Sequence, residues 1–250
     1  MYFLNHTCPT VAEDLALDEA LLDYVEQTAA AREAGLGEGA APPEFLRLWE
    51  ARRTAVVLGR SSSLDGEADL PACRAAGVEV LRRTSGGAAI VAGPGSLMYA
   101  VVLSYDRRPE LRSLDEAHRF VLETTLAAIA PIARGARRRG TSDLALGELK
   151  FSGNSVRCKR RHLLYHGTLL YDFDLPLVSR ALKMPPRQPD YRQGRSHGEF
   201  IRNLSTTADE LRRALIATWG VKSAPFDVPS AEVDRLVNER YGRDEWTMQR

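Results

Sequence analysis

The sequence predicts an α+β fold with a mainly antiparallel sheet flanked by helices. Short apolar or alternating runs that are typical of strands cluster in the middle of the chain, and amphipathic helical patterns bracket them. The regular strand–helix alternation of a doubly wound parallel sheet is absent. The 250 residues are enough to bury a sizeable core in one large domain.

The elements can be assigned in order from periodicity and from end signals. Apolar residues at helical spacing predict a first helix over Val11–Glu26, and the Gly/Ala/Pro-rich stretch Ala29–Pro43 predicts a loop after it. The predicted strands are residues 45–49, 54–58, 78–81, 97–103, 144–146, 150–152 and 163–170. The other predicted helices are residues 68–76, 113–130, 207–219 and 231–241. Ser113 and Thr207 each begin a capping-box pattern, and Pro225–Pro229 separates the last two helices.

Composition excludes several classes of function. The 34 basic and 33 acidic residues give a net charge of +1, so neither nucleic-acid binding nor membrane-surface binding is indicated. The three cysteines are scattered and suggest neither a disulfide framework nor a zinc site, which favours a reducing compartment. No signal peptide and no membrane-spanning run is visible, so we expect a cytoplasmic protein. Among the clustered basic residues, Arg134 and Arg137–Arg139 are interpreted as a solvated face.

The most informative segment is Leu81–Tyr99, where Arg82 and Arg83 run into a Gly-rich turn between two apolar runs. Glycine lets backbone N–H groups approach a ligand closely, and successive N–H groups can form a concave anion site. Arginine adds a permanent charge suited to carboxylate or phosphate. The segment indicates a site for a small anionic molecule, although a plain hairpin with two surface arginines has the same pattern.

A second segment, Ser142–Leu170, places Lys150 before a strand-like residue and a predicted small-residue turn at Ser152–Ser155. A lysine beside backbone donors can place a point charge on an acyl carboxylate or a phosphate oxygen, whereas a surface lysine at a hairpin edge is the simpler interpretation. His166 between apolar pairs fits a core histidine as well as a catalytic one.

In their order and spacing these segments resemble the lipoate–protein ligases, over nearly the whole chain. The matching pieces are A-L-D-E-A-L-L at 16–22, G-R at 59–60, R-R-T-S-G-G-A-A at 82–89, S-D-L at 142–144, K-F-S-G-N-S-V-R at 150–157, H-G-T-L-L at 166–170, R-S-H-x-x-F-x-x-N-L at 195–204 and Y-x-x-D-E-W at 241–246. The resemblance implies the catalytic-domain fold shared with biotin–protein ligases and octanoyl or lipoyl transferases. It further implies that residues 1–250 are one catalytic domain, with 205–250 a helical C-terminal extension and the full accessory domain absent.

The resemblance also implies a two-step reaction. ATP activates lipoate to lipoyl-AMP, and a lysine of a lipoyl domain or H-protein then displaces AMP. Lys150 would be catalytic, and Asp143 would hold Mg²⁺. The residues expected to bind substrate or ATP are Arg60, Arg82, Arg83, Ser85, Gly86, Gly87, Ala88, Gly153, Asn154, Ser155, Arg157, His166, Gly167 and Thr168. Because the acceptor domains of the family are acidic, Arg157–Arg161 is expected to steer docking.

Three departures from the family pattern bear on substrate and partners. Ala88, Ala92 and Gly93 stand where the family has a third glycine and a histidine–aspartate pair, and Ser62-Ser63 replaces Gln-Asn. These changes affect the acyl pocket, so lipoate and octanoate both remain candidate substrates. The short length raises the possibility of a separate accessory protein.

Two other functions compete with the ligase. An octanoyl or lipoyl transferase acts without ATP through a cysteine thioester, yet residues 140–149, just before Lys150, contain no cysteine. Cys158 follows the lysine on a basic stretch and is the alternative nucleophile, while Cys8 and Cys73 are interpreted as structural. A non-catalytic acyl-binding homologue is the third hypothesis, motivated by Ala92 and Gly93 and opposed by Lys150 and Arg83.

Overall fold

A computed structural model describes residues 1–36, 41–222 and 226–249. The strands are β1 Tyr2–Asn5, β2 Phe45–Trp49, β3 Ala55–Leu58, β4 Glu79–Arg82, β5 Ile90–Ala92, β6 Ser96–Ser104, β7 Ala136–Arg139, β8 Asp143–Leu146, β9 Leu149–Cys158 and β10 His162–Leu170. The α-helices are α1 Val11–Glu33, α2 Leu64–Glu67, α3 Leu70–Ala75, α4 Leu114–Ile129, α5 Leu175–Ala181, α6 His197–Phe200, α7 Ala208–Trp219, α8 Ser230–Leu236 and α9 Asp244–Thr247. Short 3₁₀ turns occupy Pro109–Arg112 and Asp190–Arg192, and a π-helical turn occupies Val237–Tyr241.

Within these ranges the strands form a large sheet of seven strands, in the order β1-β2-β6-β10-β9-β8-β7, and a small sheet of three, in the order β4-β3-β5. The β1–β2 and β3–β4 pairs are parallel, and every other pair is antiparallel. The prediction of an α+β fold with a mainly antiparallel sheet is therefore confirmed.

Helices cover both faces of the large sheet. On one face, α1 and α8 pack on alternate residues of β2 and β6, including Trp49, Met98 and Ala100. On the other face, α4 and α7 pack on the intervening residues, including Tyr99 and Val101. The small sheet lies beside α1, with α3 and α5 on its outer face. Because strand side chains alternate between faces, each strand residue can be assigned to the α1 side or the α4 side of the large sheet.

Several local predictions need correction. The first helix continues to Glu33, because Ala29–Ala31 are strong helix formers rather than loop residues; residues 37–40 of the predicted loop lie outside the described residues. Ser152–Ser155 is not a turn but part of β9, where Ser152 and Gly153 pair with β8, and Asn154 and Ser155 pair with β10. The Thr207 capping box forms, whereas the Ser113 side chain makes no capping hydrogen bond. Residue 225 of the predicted helix break also lies outside the described residues.

Among the described residues, no helix combines the length and the apolar character that crossing a bilayer requires.

Candidate functional site

A cavity of about 420 Å³ lies between the large sheet and the connection from β4 to β5. A row of facing residues on the α1 side of the large sheet forms its floor, from Trp49 on β2 through Met98 on β6 to Thr168 on β10 and Gly153 on β9. Since neighbouring strands lie about 4.8 Å apart, this row is roughly 14 Å long. Its β2 end is apolar and its β9 end is polar, which suits an acyl chain with a polar head.

Lys150 lies at the polar end, at the start of β9. Its Nζ is 2.7 Å from Oδ1 of Asp143, which the β8–β9 hairpin places beside it. The Tyr191 hydroxyl donates to the other carboxylate oxygen of Asp143 at 2.8 Å. Burial, reinforced by the Asp143 charge, raises the pKa of Tyr191 well above its ordinary value, so the hydroxyl keeps its proton. Lys150 and Asp143 both line the cavity, so an anion entering it meets this ammonium group.

The Gly-rich turn forms another wall, where Gly87 and Ala88 line the cavity. Within the described part of the chain, the amides of Gly86, Gly87 and Ala88 donate to no other residue. All three residues are exposed, so a ligand can approach the turn. Three successive free amides are the arrangement that binds a phosphate or carboxylate oxygen.

Arg83 supports this turn from within. Its guanidinium donates to the Ser85 hydroxyl at 3.1 Å, to the Val57 carbonyl at 3.0 Å and to the Ala88 carbonyl at 3.0 Å, and it also contacts the Gly86 carbonyl. By holding these carbonyls it fixes the course of the turn. Burial lowers the pKa of Arg83 to about 10, while the Glu67 charge opposes the shift, so the cation persists at neutral pH and attracts an anion.

Arg82 lies outside the cavity, which differs from the expectation that it lines a phosphate channel. Its buried guanidinium donates to the carbonyls of Thr247, Gly59 and Ser62, each at 2.8 Å. The Trp246 indole donates in return to the Arg82 carbonyl at 2.7 Å. Arg82 is the last residue of β4 and Arg83 follows it; their guanidinium groups bond to different parts of the protein, and Arg82 ties the small sheet to α9.

Arg60 is not among the residues that line the cavity either, and it is exposed on the surface. Its amide donates to the Ser85 carbonyl at 2.8 Å. The adjacent Gly59 packs against the turn so closely that a Cβ there would lie 1.8 Å from the Gly87 carbonyl oxygen. Ser62, one of the departures from the family pattern, donates to the same carbonyl at 3.1 Å.

His166 lines the cavity with both ring nitrogens engaged. Nε2 is 2.5 Å from the Ser85 hydroxyl, and Nδ1 is 3.3 Å from the Asp18 carboxylate. Burial opposes ionisation of Asp18, yet the charge of Arg47 and the bond to His166 outweigh it and hold the pKa of Asp18 below its ordinary value. The carboxylate therefore accepts from Nδ1–H, which leaves Nε2 to accept from Ser85.

Strand β9 carries the remaining predicted residues on two faces. Gly153 and Ser155 face the cavity side, and the Ser155 hydroxyl donates to the Gly86 carbonyl at 2.8 Å, joining β9 to the turn. Asn154 faces α4 instead: its amide donates to the Ser142 carbonyl at 2.8 Å, and a Cβ at Gly167 would lie 1.8 Å from its Oδ1. Asn154 and Gly167 thus reach the cavity only through backbone.

Arg157 lies two residues beyond Ser155 on the same face of β9, outside the residues that line the cavity. Its side chain is half-buried, and its Nε is enclosed without a hydrogen-bond partner among the described residues. A buried donor without an acceptor is costly unless a ligand supplies one.

The basic stretch after Arg157 is largely neutralised. Lys159 is ion-paired with Asp23, and Arg161 with Glu33, both acids lying on α1. This pairing weakens the expectation that Arg157–Arg161 steers an acidic partner.

None of the three cysteines lines the cavity. Cys8 and Cys73 are buried, and burial raises the pKa of Cys8 to about 12. Cys158 is exposed at the far end of β9.

Asp143 alone does not provide enough ligands for a magnesium ion. Among the described residues no group of three His, Cys, Asp or Glu side chains converges, and both oxygens of Asp143 already have partners in Lys150 and Tyr191. Magnesium accepts one carboxylate when phosphates supply further oxygens. Asp143 therefore fits the ion only together with a bound phosphate.

Sequence reasoning missed three residues that shape the site: Asp18, Glu67 and Tyr191. Glu67 accepts from the Ala89 amide at 2.6 Å and lines the cavity. For Asp18 a signal existed, because two adjacent acids interrupt an apolar helical stretch at Ala16–Leu22. No comparable signal singled out Glu67 or Tyr191.

Comparison with known proteins identifies the family. The family model described as the lipoyl protein ligase A/B catalytic domain matches residues 10–218. The octanoyltransferase LipM of Symbiobacterium thermophilum is 27% identical, covering 95% of this chain and 94% of its own. Lipoate–protein ligase 1 of Staphylococcus aureus is 23% identical over 80% of this chain, which spans only 62% of that ligase.

Two solved structures share the fold. A bipartite lipoate protein ligase from Thermoplasma acidophilum, studied with its E2 lipoyl domain, has a TM-score of 0.78 at 22% identity, covering 99% of this chain and 95% of that one. A lipoate–protein ligase A bound with ATP has a TM-score of 0.80 at 22% identity, covering 99% and 98%. Fold and family model agree, and this chain is an enzyme of the lipoyl protein ligase A/B catalytic domain family.

Proposed function

We propose that this protein is a lipoate–protein ligase, which activates lipoate or octanoate with ATP and transfers the acyl group to a lysine of a lipoyl domain or H-protein. The observation that carries the proposal is that Lys150 lines the same cavity as Gly87 and Ala88, whose amides have no partner among the described residues, and that no cysteine lines it. Backbone amides together with an ammonium group suit an acyl-adenylate, which carries a phosphate and an acyl carbonyl. The lack of a cysteine there disfavours a thioester route.

In the first step an oxygen of the acyl carboxylate attacks the α-phosphorus of ATP, and pyrophosphate leaves. Lys150 gives up its contact with Asp143 and stabilises the negative charge on the α-phosphate oxygens. The amides of Gly86, Gly87 and Ala88 hold the phosphate or carbonyl oxygen. Arg157 lies beyond the cavity and would have to move to bring its unpaired Nε–H to the nucleotide. A magnesium ion held by Asp143 and the nucleotide would neutralise phosphate charge. The apolar floor from Met98 to Trp49 receives the acyl chain.

In the second step the acceptor lysine, as a free amine, attacks the acyl carbonyl carbon. An amide bond forms, the bond to the phosphate oxygen breaks, AMP leaves and the amine nitrogen loses a proton. Lys150 and the turn amides stabilise the oxyanion of this step from the same positions. One preorganised set of donors therefore serves both steps.

The test is an acylation assay with purified protein, a lipoyl domain and, in parallel, an H-protein. We expect the target lysine to gain the mass of a lipoyl or octanoyl group only when ATP and the free acid are both present, and a target-lysine→Arg acceptor to stay unmodified. Formation of acyl-AMP by this chain alone, detected by pyrophosphate release, reports whether a separate accessory protein is needed, as the bipartite ligase suggests.

An octanoyltransferase is the second candidate, favoured by the near full-length match to LipM. Transfer from an octanoyl carrier protein without ATP would establish that activity and overturn the ligase. Binding of lipoate without either turnover would establish a non-catalytic acyl-binding protein.

A further inference from the structure

Two adjacent acids of α1, Asp18 and Glu19, are buried although they lie in an otherwise apolar stretch of the helix. Their side chains are 2% and 5% exposed. Burying carboxylates is unfavourable unless each finds partners. The partners of this pair lead to two consecutive residues, Thr84 and Ser85, immediately before the Gly-rich turn.

The Asp18 branch passes through His166. Asp18 is anchored by Arg47, whose Nη1 lies 2.6 Å from its Oδ1. Its other oxygen accepts from His166 Nδ1 at 3.3 Å, and His166 Nε2 accepts from the Ser85 hydroxyl at 2.5 Å. A carboxylate on one imidazole nitrogen fixes the tautomer and the ring orientation, and so decides what the other nitrogen does. Here it directs the Ser85 hydroxyl.

The Glu19 branch reaches the turn directly. The Thr84 hydroxyl donates to Glu19 at 3.3 Å. The same carboxylate accepts from the Tyr241 hydroxyl at 2.6 Å and from Arg240 at 2.5 Å, both in the π-helical turn after α8. Glu19 is therefore held from the C-terminal side and in turn holds Thr84.

We propose that Asp18 and Glu19 are positioning residues that together fix Thr84 and Ser85, and thereby the orientation of the ligand-binding amides of the Gly-rich turn. The proposal rests on the proposed function for the identity of the ligand, but its geometry concerns the free protein. We call Asp18, Glu19, Thr84, Ser85 and His166 the α1 clamp.

The clamp residues lie next to hydrogen bonds that hold the two ends of the Gly-rich turn. The Arg60 amide donates to the Ser85 carbonyl at 2.8 Å, the Arg83 amide to Leu58 at 2.9 Å, and the Ala89 amide to Glu67 at 2.6 Å. These three bonds flank the free amides on either side. If Thr84 and Ser85 shift, we expect these three bonds to loosen and the free amides to lose their fixed positions.

The first experiment compares Thr84→Val with Thr125→Val by hydrogen exchange in the ligand-free protein. Both threonines are buried and donate one side-chain hydrogen bond, but Thr125 does so within α4, across the sheet from the cavity. We expect Thr84→Val to speed exchange of the Arg60, Arg83 and Ala89 amides about tenfold, the scale of one lost hydrogen bond. Thr125→Val should leave them unchanged. Equal exchange at these amides in both variants would overturn the proposal.

The second experiment is a double-mutant cycle with Asp18→Asn and Ser85→Ala, read out by calorimetric binding of octanoate and of ATP. If Asp18 acts through Ser85, each single variant weakens binding and the double variant is no worse than Ser85→Ala alone. Effects that multiply would show that Asp18 does not act through Ser85. Should Asp18→Asn not fold once Arg47 loses this partner, Thr84→Val decides the Glu19 branch and Ser85→Ala, which breaks the link to His166, decides the Asp18 branch. Unchanged binding by Ser85→Ala would overturn that branch.

The two proposals fail in distinguishable ways. A wild-type protein that binds neither octanoate, lipoate nor ATP contradicts the proposed function, yet the exchange rates still test the clamp. If the wild-type protein binds these ligands, and Thr84→Val and Asp18→Asn bind them as tightly with unchanged exchange rates, the proposed function stands and the clamp proposal is wrong.

Discussion

Lys150 and Asp143 form an ion pair of 2.7 Å across the β8–β9 hairpin, and both line the same cavity as the Gly-rich turn. The lysine is thus held partly dehydrated and in place before any ligand arrives. The Tyr191 hydroxyl is bonded to the second oxygen of Asp143, so the carboxylate stays in place if the Lys150 side chain moves toward a ligand. A phosphate or carboxylate competes with Asp143 for the ammonium, and a charge already oriented reorganises little during reaction.

We therefore expect Lys150→Ala to reduce acyl transfer at least about 100-fold, the scale of one preorganised charge-stabilising donor. Mass spectrometry of the acceptor lysine measures the loss. Lys222→Ala, an exposed lysine outside the residues that line the cavity, is the control and should retain activity. Full activity of Lys150→Ala would remove the lysine from the mechanism.

Gly59→Ala should destabilise the protein by about 1–3 kcal/mol, as overpacking does, because the new Cβ would lie 1.8 Å from the Gly87 carbonyl oxygen. Urea unfolding gives the change in the free energy of unfolding. Gly198→Ala is the matched control, since the nearest atom to its Cβ is 3.8 Å away and no positive φ opposes it. If the two variants are equally stable, Gly59 and Gly87 are not in contact.

Arg82→Lys should lower stability without changing ATP affinity in the protein that remains folded. Lysine cannot reproduce the hydrogen bonds to Thr247, Gly59 and Ser62, and each such bond from a charged group is worth about 1.5–3 kcal/mol. Thermal unfolding and calorimetric titration with ATP separate the two effects. Weaker ATP binding at unchanged stability would restore the phosphate-binding role expected from the sequence.

Asp14 makes stability depend on pH. Burial raises its pKa to about 6, although Arg47 opposes the shift, while an unfolded aspartate titrates near 3.9. The folded state therefore holds a proton that the unfolded state has lost, and stability falls as pH rises from about 4 to about 6. The contribution is at most about 3 kcal/mol. Urea unfolding of wild type and Asp14→Asn should diverge over this interval, and parallel pH profiles would contradict the shift.

Much of the site could be read from the sequence because glycines and charged residues next to apolar runs are local signals. The Gly-rich turn and Lys150 were singled out in this way, and the structure brings them to one cavity. The sequence did not separate the roles of Arg82 and Arg83. Adjacent residues of an extended chain point to opposite sides. Only the packing of α9 decides that Arg82 is bonded within the protein and that Arg83 is the arginine on the cavity side.

The segment Ser152–Ser155 shows why small residues mislead. A run of Ser, Gly and Asn predicts a turn, yet these residues form the middle of β9. Their small size serves tertiary contacts instead: the Lys150 side chain lies over Gly153, and the Asn154 amide packs on Gly167 of the neighbouring strand. Such contacts involve residues distant in the chain, so no local pattern contains them.

The α+β class, seven of the ten strands in the described ranges, the long helices and the candidate anion site were indicated by the sequence alone, because periodicity and turn chemistry are properties of neighbouring residues. Strands β1, β5 and β7 were not predicted. The tertiary structure decided which polar groups are hydrogen-bonded within the protein and which remain available to a ligand. Arg82 and His166 are used internally, whereas three amides of the Gly-rich turn have no partner among the described residues. Buried donors and acceptors must be paired in three dimensions, and their partners come from segments that the fold alone brings together.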